Sequence, residues 1–103
     1  MLISKPMQRL ERLNTKECLW PYILKILSEK PSHAYTLRKK IKKQFGFMPG
    51  TMTAYSTLYS LFLNGFVSKE IQGRRKIYKI TQKGKRELKK AREFYKKIYN
   101  KLK

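Results

Sequence analysis

The sequence predicts a mainly α-helical fold with one small β-hairpin, and two patterns of apolar residues lead to this prediction. Through most of the 103 residues, apolar side chains recur every three or four positions, which is the spacing of one face of an α-helix. Between Phe66 and Ile80 this spacing gives way to two short runs rich in β-branched and aromatic residues, separated by a turn sequence at 72–75. The chain is too short for two independent hydrophobic cores, so we expect one compact unit.

The first two predicted helices precede Pro31. Apolar residues between positions 3 and 13 have helical spacing and predict a short amphipathic helix. Asn14 and Thr15 have side chains that cap helix N-termini, so we expect them to begin the next helix. Proline is tolerated in the first turn of a helix, which means that this helix begins near Pro21 or is kinked there.

The next two predicted helices outline a helix-turn-helix. Ser32 is the expected N-cap of the first of them, and Gly46 ends it. After a short connection, Thr51 or Thr53 is expected to cap the second helix, which ends at Gly65. Two helices joined by a short connection that contains glycine are typical of this motif.

The hairpin and one further helix complete the predicted architecture, in the element order of a winged helix-turn-helix. Thr81 closes the hairpin and is expected to cap a final helix that runs to about Leu102. We therefore assign residues 1–81 to a winged-helix unit with an N-terminal accessory helix. Residues 82–103 form the C-terminal helix of the same compact unit.

The final helix carries an apolar seam whose spacings of three and four residues alternate, as in coiled coils. Two heptads are too few to establish a coiled coil by themselves. The spacing therefore leaves two alternatives open: the seam packs on a second copy of the chain, or it packs on the rest of the same chain. The seam residues are Leu88, Ala91, Tyr95, Ile98 and Leu102.

Charge is the strongest indication of the kind of partner. The chain has 26 Lys and Arg residues against 6 acidic residues, which gives a formal net charge of +20. A field this positive attracts polyanions and opposes the compact state through self-repulsion, so nucleic acid is the expected partner. The alternative is a lysine-rich solvated surface of the kind that thermophile proteins carry.

The composition also argues against secretion, membrane insertion and catalysis. Cys18 is the only cysteine, so one chain can form neither an internal disulfide nor a cysteine-based zinc site. The sequence shows no secretory signal and no run of about 18 apolar residues, so we expect a cytoplasmic protein without membrane contact. One His, no Asp and six Glu offer no acid–base pair, triad or metal cluster, so no enzyme activity, catalytic residue, metal or cofactor is expected.

Four stretches of the chain carry motifs beyond periodicity: ILKIL followed by KPSHAYTL, PGT followed by AYSTLYSLFLNGFV, GRRKIYKIT, and QKGKREL. In order and spacing they resemble the PadR family of transcriptional regulators, over about residues 19–89. The wing and the helix start that follows it are the most specific of these motifs. Ala34, Thr36, Met52 and Ser56 depart from the family's usual residues, which concerns sequence specificity rather than the fold.

The resemblance implies a DNA-binding regulator that forms a homodimer through its last helix, with help from the N-terminal segment. It therefore favours the interpretation of the apolar seam as a dimer contact. For some members it also implies a flat aromatic effector, which we would place near Trp20; the alternative for this side chain is packing in the core or at the dimer interface. The predicted dimer-interface residues are Met7, Leu10, Leu88, Ala91, Tyr95, Ile98 and Leu102.

The helix after Gly50 is expected to enter the major groove of DNA with the face that points away from the core. That face carries hydroxyl, phenol and thioether groups without Arg, Asn or Gln, so direct base readout is expected to be modest. The cations at the hairpin tip have the reach to contact phosphates or the minor groove. The predicted DNA-binding residues are Ser32, His33, Lys39, Thr51, Met52, Thr53, Tyr55, Ser56, Tyr59, Ser60, Arg74, Arg75 and Lys76.

The cations of the hairpin tip either bind DNA or form only a solvated turn, and three further residues also have an alternative interpretation. Tyr55 lies at the boundary of the two helix faces, where it either contacts the DNA backbone, as the resemblance implies, or packs in the core. His33 either binds a phosphate or caps a helix, and Lys39 either contacts the backbone or lies idle on the surface. Together with the family resemblance, these residues predict a homodimeric, sequence-specific repressor that binds double-stranded DNA. The alternative function is an architectural protein that coats DNA without sequence preference.

Overall fold

The computed structural model describes residues 3–103, and the predicted class, mainly helical with a small β-hairpin, is confirmed. The first two residues of the predicted unit 1–81 lie outside this range. No helix within the described range is both long enough and apolar enough to cross a membrane. In chain order the elements are α1 (Lys5–Leu13), α2 (Trp20–Glu29), β1 (Ser32–His33), α3 (Ala34–Phe45), α4 (Thr51–Leu63), β2 (Val67–Gln72), β3 (Arg75–Ile80) and α5 (Gln82–Lys101).

The boundary between α1 and α2 differs from the prediction. The side chains of Asn14 and Thr15 donate hydrogen bonds to backbone carbonyls one turn back in α1, at 2.8 and 2.6 Å, so both residues end α1. The prediction that they cap α2 is therefore wrong. α2 begins at Trp20 with Pro21 in its first turn, where the missing amide proton is not needed, and this confirms one of the two predicted alternatives.

The segment predicted to cap α3 is instead a short strand. Ser32 and His33 form β1, which pairs antiparallel with β3 through the residue pairs Ser32–Tyr78 and His33–Ile77. Ser32 is only 5% exposed, and its hydroxyl donates to the carbonyl of His33 at 3.1 Å. The cap prediction for Ser32 is therefore wrong. The backbone at this residue forms strand hydrogen bonds with β3, and the side chain does not cap α3.

Glycine residues lie at both ends of the connection between α3 and α4 and just after α4. Gly46 ends α3 in the left-handed region at φ +83°, as predicted. The N-cap of α4 is Gly50, with extended backbone, so the prediction that Thr51 or Thr53 caps this helix is wrong, and both threonines lie inside it. Gly65, at φ +77°, follows the last turn of α4 and confirms the predicted stop.

The hydrophobic core is formed mainly by α2, α3 and α4, with contributions from the hairpin and α5. On α4 the predicted inward face is confirmed, since Ala54, Leu58 and Leu61 are buried and Phe62 is half-buried. Because the inward face of α4 packs in the core, the opposite face is exposed to solvent. The buried core residues are Leu19, Ile23, Leu24, Ile26, Leu27, Ala34, Leu37, Ile41, Ala54, Leu58, Leu61, Val67 and Leu88.

The hairpin forms the wing, and its register is set by a two-residue turn. β2 and β3 pair from Val67–Ile80 at the base to Gln72–Arg75 at the tip, so that Gly73 and Arg74 form the turn. Gly73 has φ +62°, which is the conformation that two-residue hairpin turns need at their first position. In the sheet order β1-β3-β2, the wing is joined to the start of α3 by β1.

Thr81 connects the end of α4 to the start of α5. Its hydroxyl oxygen accepts a hydrogen bond from the amide of Gly84 at 3.0 Å, which confirms the predicted cap of α5. The same hydroxyl donates to the carbonyl of Gly65 at 2.7 Å. This one side chain therefore holds the exit of α4 against the first turn of α5, and Gly84 lies buried directly beneath it.

We expect Gly84→Ala to lower the free energy of unfolding by about 1–3 kcal/mol. A Cβ at this position would overlap the carbonyl oxygen of Phe66 and lie 2.8 Å from Cγ1 of Ile80. The matched control is Gly50→Ala, whose Cβ would meet Thr53 Oγ1 at an ordinary distance of 3.7 Å. Urea unfolding at one protein concentration measures both variants, and equal stability of the two would show that the close packing at Gly84 is not required.

The apolar seam of α5 divides into a buried and an exposed half. Leu88 and Ala91 are 7% and 8% exposed and pack against the chain's own core, which is the second of the two predicted alternatives. From residue 92 onward every side chain of the helix is exposed, and Leu102 reaches 81%. The exposed half includes two aromatic residues that the seam spacing missed. We call this set the terminal stripe: Phe94, Tyr95, Ile98, Tyr99 and Leu102.

Candidate nucleic-acid interface

The outward face of α4 is uncharged and carries mostly hydroxyl groups. Met52 is 86% exposed and Tyr59 is 60% exposed, as expected for residues opposite the buried face. Within the helix, the hydroxyls of Ser56 and Thr57 donate to the carbonyl of Thr53 at 3.3 and 2.7 Å. Their protons are therefore already used by the helix. We call the outward set the readout face: Met52, Thr53, Ser56, Tyr59 and Ser60.

Tyr55 lies beside the readout face on the wing side of α4. Its side chain is 46% exposed, which agrees with the surface alternative rather than with a core aromatic. The neighbouring phenol belongs to Tyr78 on β3, and burial, followed by the proximity of Tyr55, raises the pKa of Tyr78. Tyr55 therefore lies at the entrance of the space between α4 and the wing, whereas Tyr78 lies deeper in this space.

A cleft of about 660 Å³ separates the first turn of α3 and the side of α4 from the wing. One wall is cationic and belongs to the hairpin, and the other wall carries phenol and hydroxyl groups. The structure thus brings together predicted site residues from three separate parts of the sequence. We call this space the wing cleft, and its polar lining consists of His33, Tyr35, Thr36, Tyr55, Arg74, Arg75, Lys76 and Tyr78.

His33 connects the wing to the start of α3. Its Nδ1 lies 3.2 Å from the backbone carbonyl of Lys76. Because a carbonyl only accepts hydrogen bonds, Nδ1 carries the proton of this bond. The side chain therefore holds the cationic wall, at Lys76, close to the start of α3. His33 and Lys76 are far apart along the chain, so no local sequence pattern predicts this contact.

The first turn of α3 adds a tyrosine that was not among the predicted site residues. Tyr35 is exposed, and the ammonium of Lys39 lies 4.4 Å from the centroid of its ring. Hydrogen bonding and charge from Lys39 lower the pKa of the Tyr35 phenol. The spacing of these residues, one helical turn apart, is the signal that would have linked Tyr35 to the predicted contact Lys39.

The tip of the wing carries positive charge without a local counter-ion. In residues 3–103, no carboxylate lies within ion-pair distance of Arg74, Arg75 or Lys76, whereas Lys79, next to the last residue of β3, pairs with Glu70 at 3.3 Å. The side chains of the tip are exposed. Their charge is therefore available to a polyanion. Ser32, by contrast, is buried, and its hydroxyl donates to the backbone carbonyl of His33.

A second groove, of about 540 Å³, lies on the other side of α4 next to Trp20. Trp20 is half-buried and packs against the core, and the groove also includes Ser56 and Ser60 of the readout face. Glu87 of α5 supplies its acidic group. The described residues contain no cluster of three or more His, Cys, Asp or Glu that could hold a metal ion.

The arrangement of three helices, a wing and a following helix agrees with a comparison against protein families. The family model described as "Transcriptional regulator PadR-like family" matches residues 23–90, which is more than half of the chain. The chain belongs to this family. The predicted resemblance is therefore confirmed, and the PadR-like match extends from α2 into the buried half of α5.

Solved structures share the fold of this PadR-like chain. A transcriptional regulator from Clostridium thermocellum, Cth-833, is 27% identical with a TM-score of 0.74, and the match covers 81% of this chain and 90% of that one. F93 from STIV, a winged-helix DNA-binding protein, is 28% identical with a TM-score of 0.71, over 84% and 91%. PadR of Bacillus subtilis, solved in complex with operator DNA, is 28% identical with a TM-score of 0.62, over 70% and 45%. A search of curated protein sequences found no match.

Proposed function

We propose that this PadR-like chain is a homodimeric repressor that binds double-stranded DNA at specific sequences. The observation that carries the proposal is the position of an uncharged, hydroxyl-rich helix face next to a cationic wing, with the wing cleft between them. α4 has the exposed face that a recognition helix inserts into the major groove. The wing then follows the adjacent sugar-phosphate backbone.

The wing cleft suits one strand of the DNA backbone. Arg74 and Arg75 supply guanidinium donors from the wing, and phosphate oxygens accept two parallel hydrogen bonds from such a group. Tyr35 and Tyr55 supply phenol donors from the opposite wall, and Lys39 adds positive charge near Tyr35. Contacts of this kind orient the protein on the duplex without reading its sequence. They would align α4 with the major groove.

The proposed dimer contact is formed by the terminal stripe and α1. α1 has nine residues, none of them buried, and a helix this short is marginal in water unless its apolar face is covered. Met7 and Leu10 of α1 are both exposed. A second copy would cover these faces, and the two copies would then present two recognition helices about 34 Å apart, on half-sites one helical turn apart. Where such an operator overlaps a promoter, the bound dimer would block transcription by occupying the DNA.

A flat aromatic effector near Trp20 belongs to the same proposal. The groove beside Trp20 includes Ser56 and Ser60, which also lie on the readout face. A planar compound stacked on the indole would therefore occupy space next to the DNA-binding surface. Its binding would compete with operator binding, which is the simplest way for a ligand to release a repressor.

Selection of bound sequences from a random duplex library tests the proposal. We expect one pseudo-palindromic sequence to be enriched, and we expect it to bind at least about 10³-fold more tightly than random duplex at the same salt concentration. The second candidate, an architectural protein, is favoured by the lack of Arg, Lys, Asn and Gln between residues 51 and 60. Equal affinity for the enriched and the random duplex would establish that candidate and overturn the proposal.

A further inference from the structure

The readout face lacks the groups with which proteins usually distinguish bases by hydrogen bonding. Discrimination of guanine relies on Arg or Lys, and that of adenine relies on Asn or Gln, because these side chains form paired hydrogen bonds with base edges. The readout face carries none of them. The hydroxyl of Ser56 already donates to the backbone of its own helix. Hydrogen bonding therefore gives this helix little means of selecting a sequence.

The most exposed side chain of the readout face is apolar. Met52 is the second residue of α4 and is 86% exposed, the largest value among the large hydrophobic side chains of residues 3–103. The first turn of a recognition helix is the part that contacts base edges in the major groove. Burial of a thioether side chain against another apolar group is favourable in free energy, whereas its sulfur forms only weak hydrogen bonds.

The major groove offers one apolar group of this kind, the C5-methyl of thymine. We infer that Met52 recognises a thymine in each half-site by contact between its thioether chain and this methyl group. This inference rests on the proposed function, since it requires α4 to lie in the major groove of a specific site. It adds one part of the chemistry of the readout: the methyl contact favours thymine at one position of each half-site, while the wing cleft supplies contacts that are independent of the sequence.

Deoxyuridine provides a direct test, because it lacks only the C5-methyl and keeps the hydrogen-bonding groups of thymine. The probe is the duplex that selection enriches, with each thymine replaced singly by deoxyuridine. At two symmetry-related positions, one in each half-site, we expect each single replacement to weaken binding about fourfold. This is the effect of losing one buried methyl group. Replacement at the other positions should leave the affinity unchanged.

Two variants of Met52 connect this effect to the residue. Met52→Ala should bind the thymine and the deoxyuridine duplex with equal affinity, and it should fold normally because the side chain is exposed. Met52→Leu keeps the apolar volume and should keep the preference for thymine. Thermal unfolding of both variants serves as the control for folding.

The outcomes separate this inference from the proposed function. If the wild-type protein binds its enriched duplex tightly but ignores every deoxyuridine replacement, the inference is wrong and the proposed function stands. If Met52→Ala keeps the full preference for thymine, another residue reads the methyl group and the assignment to Met52 is wrong. If selection enriches no sequence at all, both the inference and the sequence-specific function fail.

Discussion

Replacing Arg74 and Arg75 together by alanine is expected to weaken binding of the enriched duplex by roughly 10²- to 10³-fold at about 100 mM salt. Both side chains are exposed on the wing, and no carboxylate of the described residues neutralises them. A dimer would lose both guanidinium groups from each of its two wings. Since the contacts are to phosphates, the loss should be similar for specific and random duplexes.

The salt dependence of binding identifies the cause of this loss. Each phosphate contact contributes about 0.9 to the slope of log K against log salt, so the double variant should flatten the slope by about 3 to 4 units. The matched control is the double variant Lys96→Ala and Lys97→Ala, which removes the same charge from the exposed end of α5. An equal loss in both double variants would mean that the net charge of the chain, and not the wing, attracts the DNA.

The second large effect is expected from Ile98→Lys on the terminal stripe. Ile98 is partly exposed in the single chain, so a lysine there leaves the fold intact and is tolerated by the helix. In a dimer held by this stripe, the change would bury unpaired positive charges at a contact between identical surfaces. An uncompensated buried charge is strongly destabilising, so the dissociation constant of the dimer should rise by about 100-fold or more.

Sedimentation equilibrium at micromolar concentration measures this change in assembly. The matched control is Asn100→Lys, which adds the same charge to the same helix at an exposed position outside the terminal stripe. We expect the control to remain a dimer and Ile98→Lys to become a monomer that binds each half-site independently. A wild-type chain that sediments as a monomer, or an Ile98→Lys variant that sediments as a dimer, would contradict the proposed interface.

Elements that depend on local sequence could be predicted, and they include most of the recognition surface. The inward and outward faces of α4 follow from helical spacing alone, because residues three or four positions apart lie on the same face of a helix. The wing follows from two β-rich runs around Gly73, and the cap of α5 follows from Thr81. The PadR-like family could also be named from motifs, since these motifs are short and lie in a fixed order.

The residues that were assigned wrongly all have side chains that can cap a helix, and the sequence does not show which helix end, if any, each of them caps. They are Asn14, Thr15, Ser32, Thr51 and Thr53. Ser32 makes this plain, because its backbone pairs with Tyr78 on β3, far along the chain. Strand pairing over such a separation leaves no local pattern.

By itself, the sequence determined the order of the helices and the hairpin, the outward face of α4 and the positive charge of the wing, because all three depend on neighbouring residues. The tertiary structure decided how these parts meet. It formed the wing cleft by bringing His33 to the carbonyl of Lys76, and it buried Leu88 while leaving Leu102 exposed on the same apolar seam. The physical reason is that periodicity shows which side of a helix is apolar, whereas only packing shows which part of that side the chain itself covers.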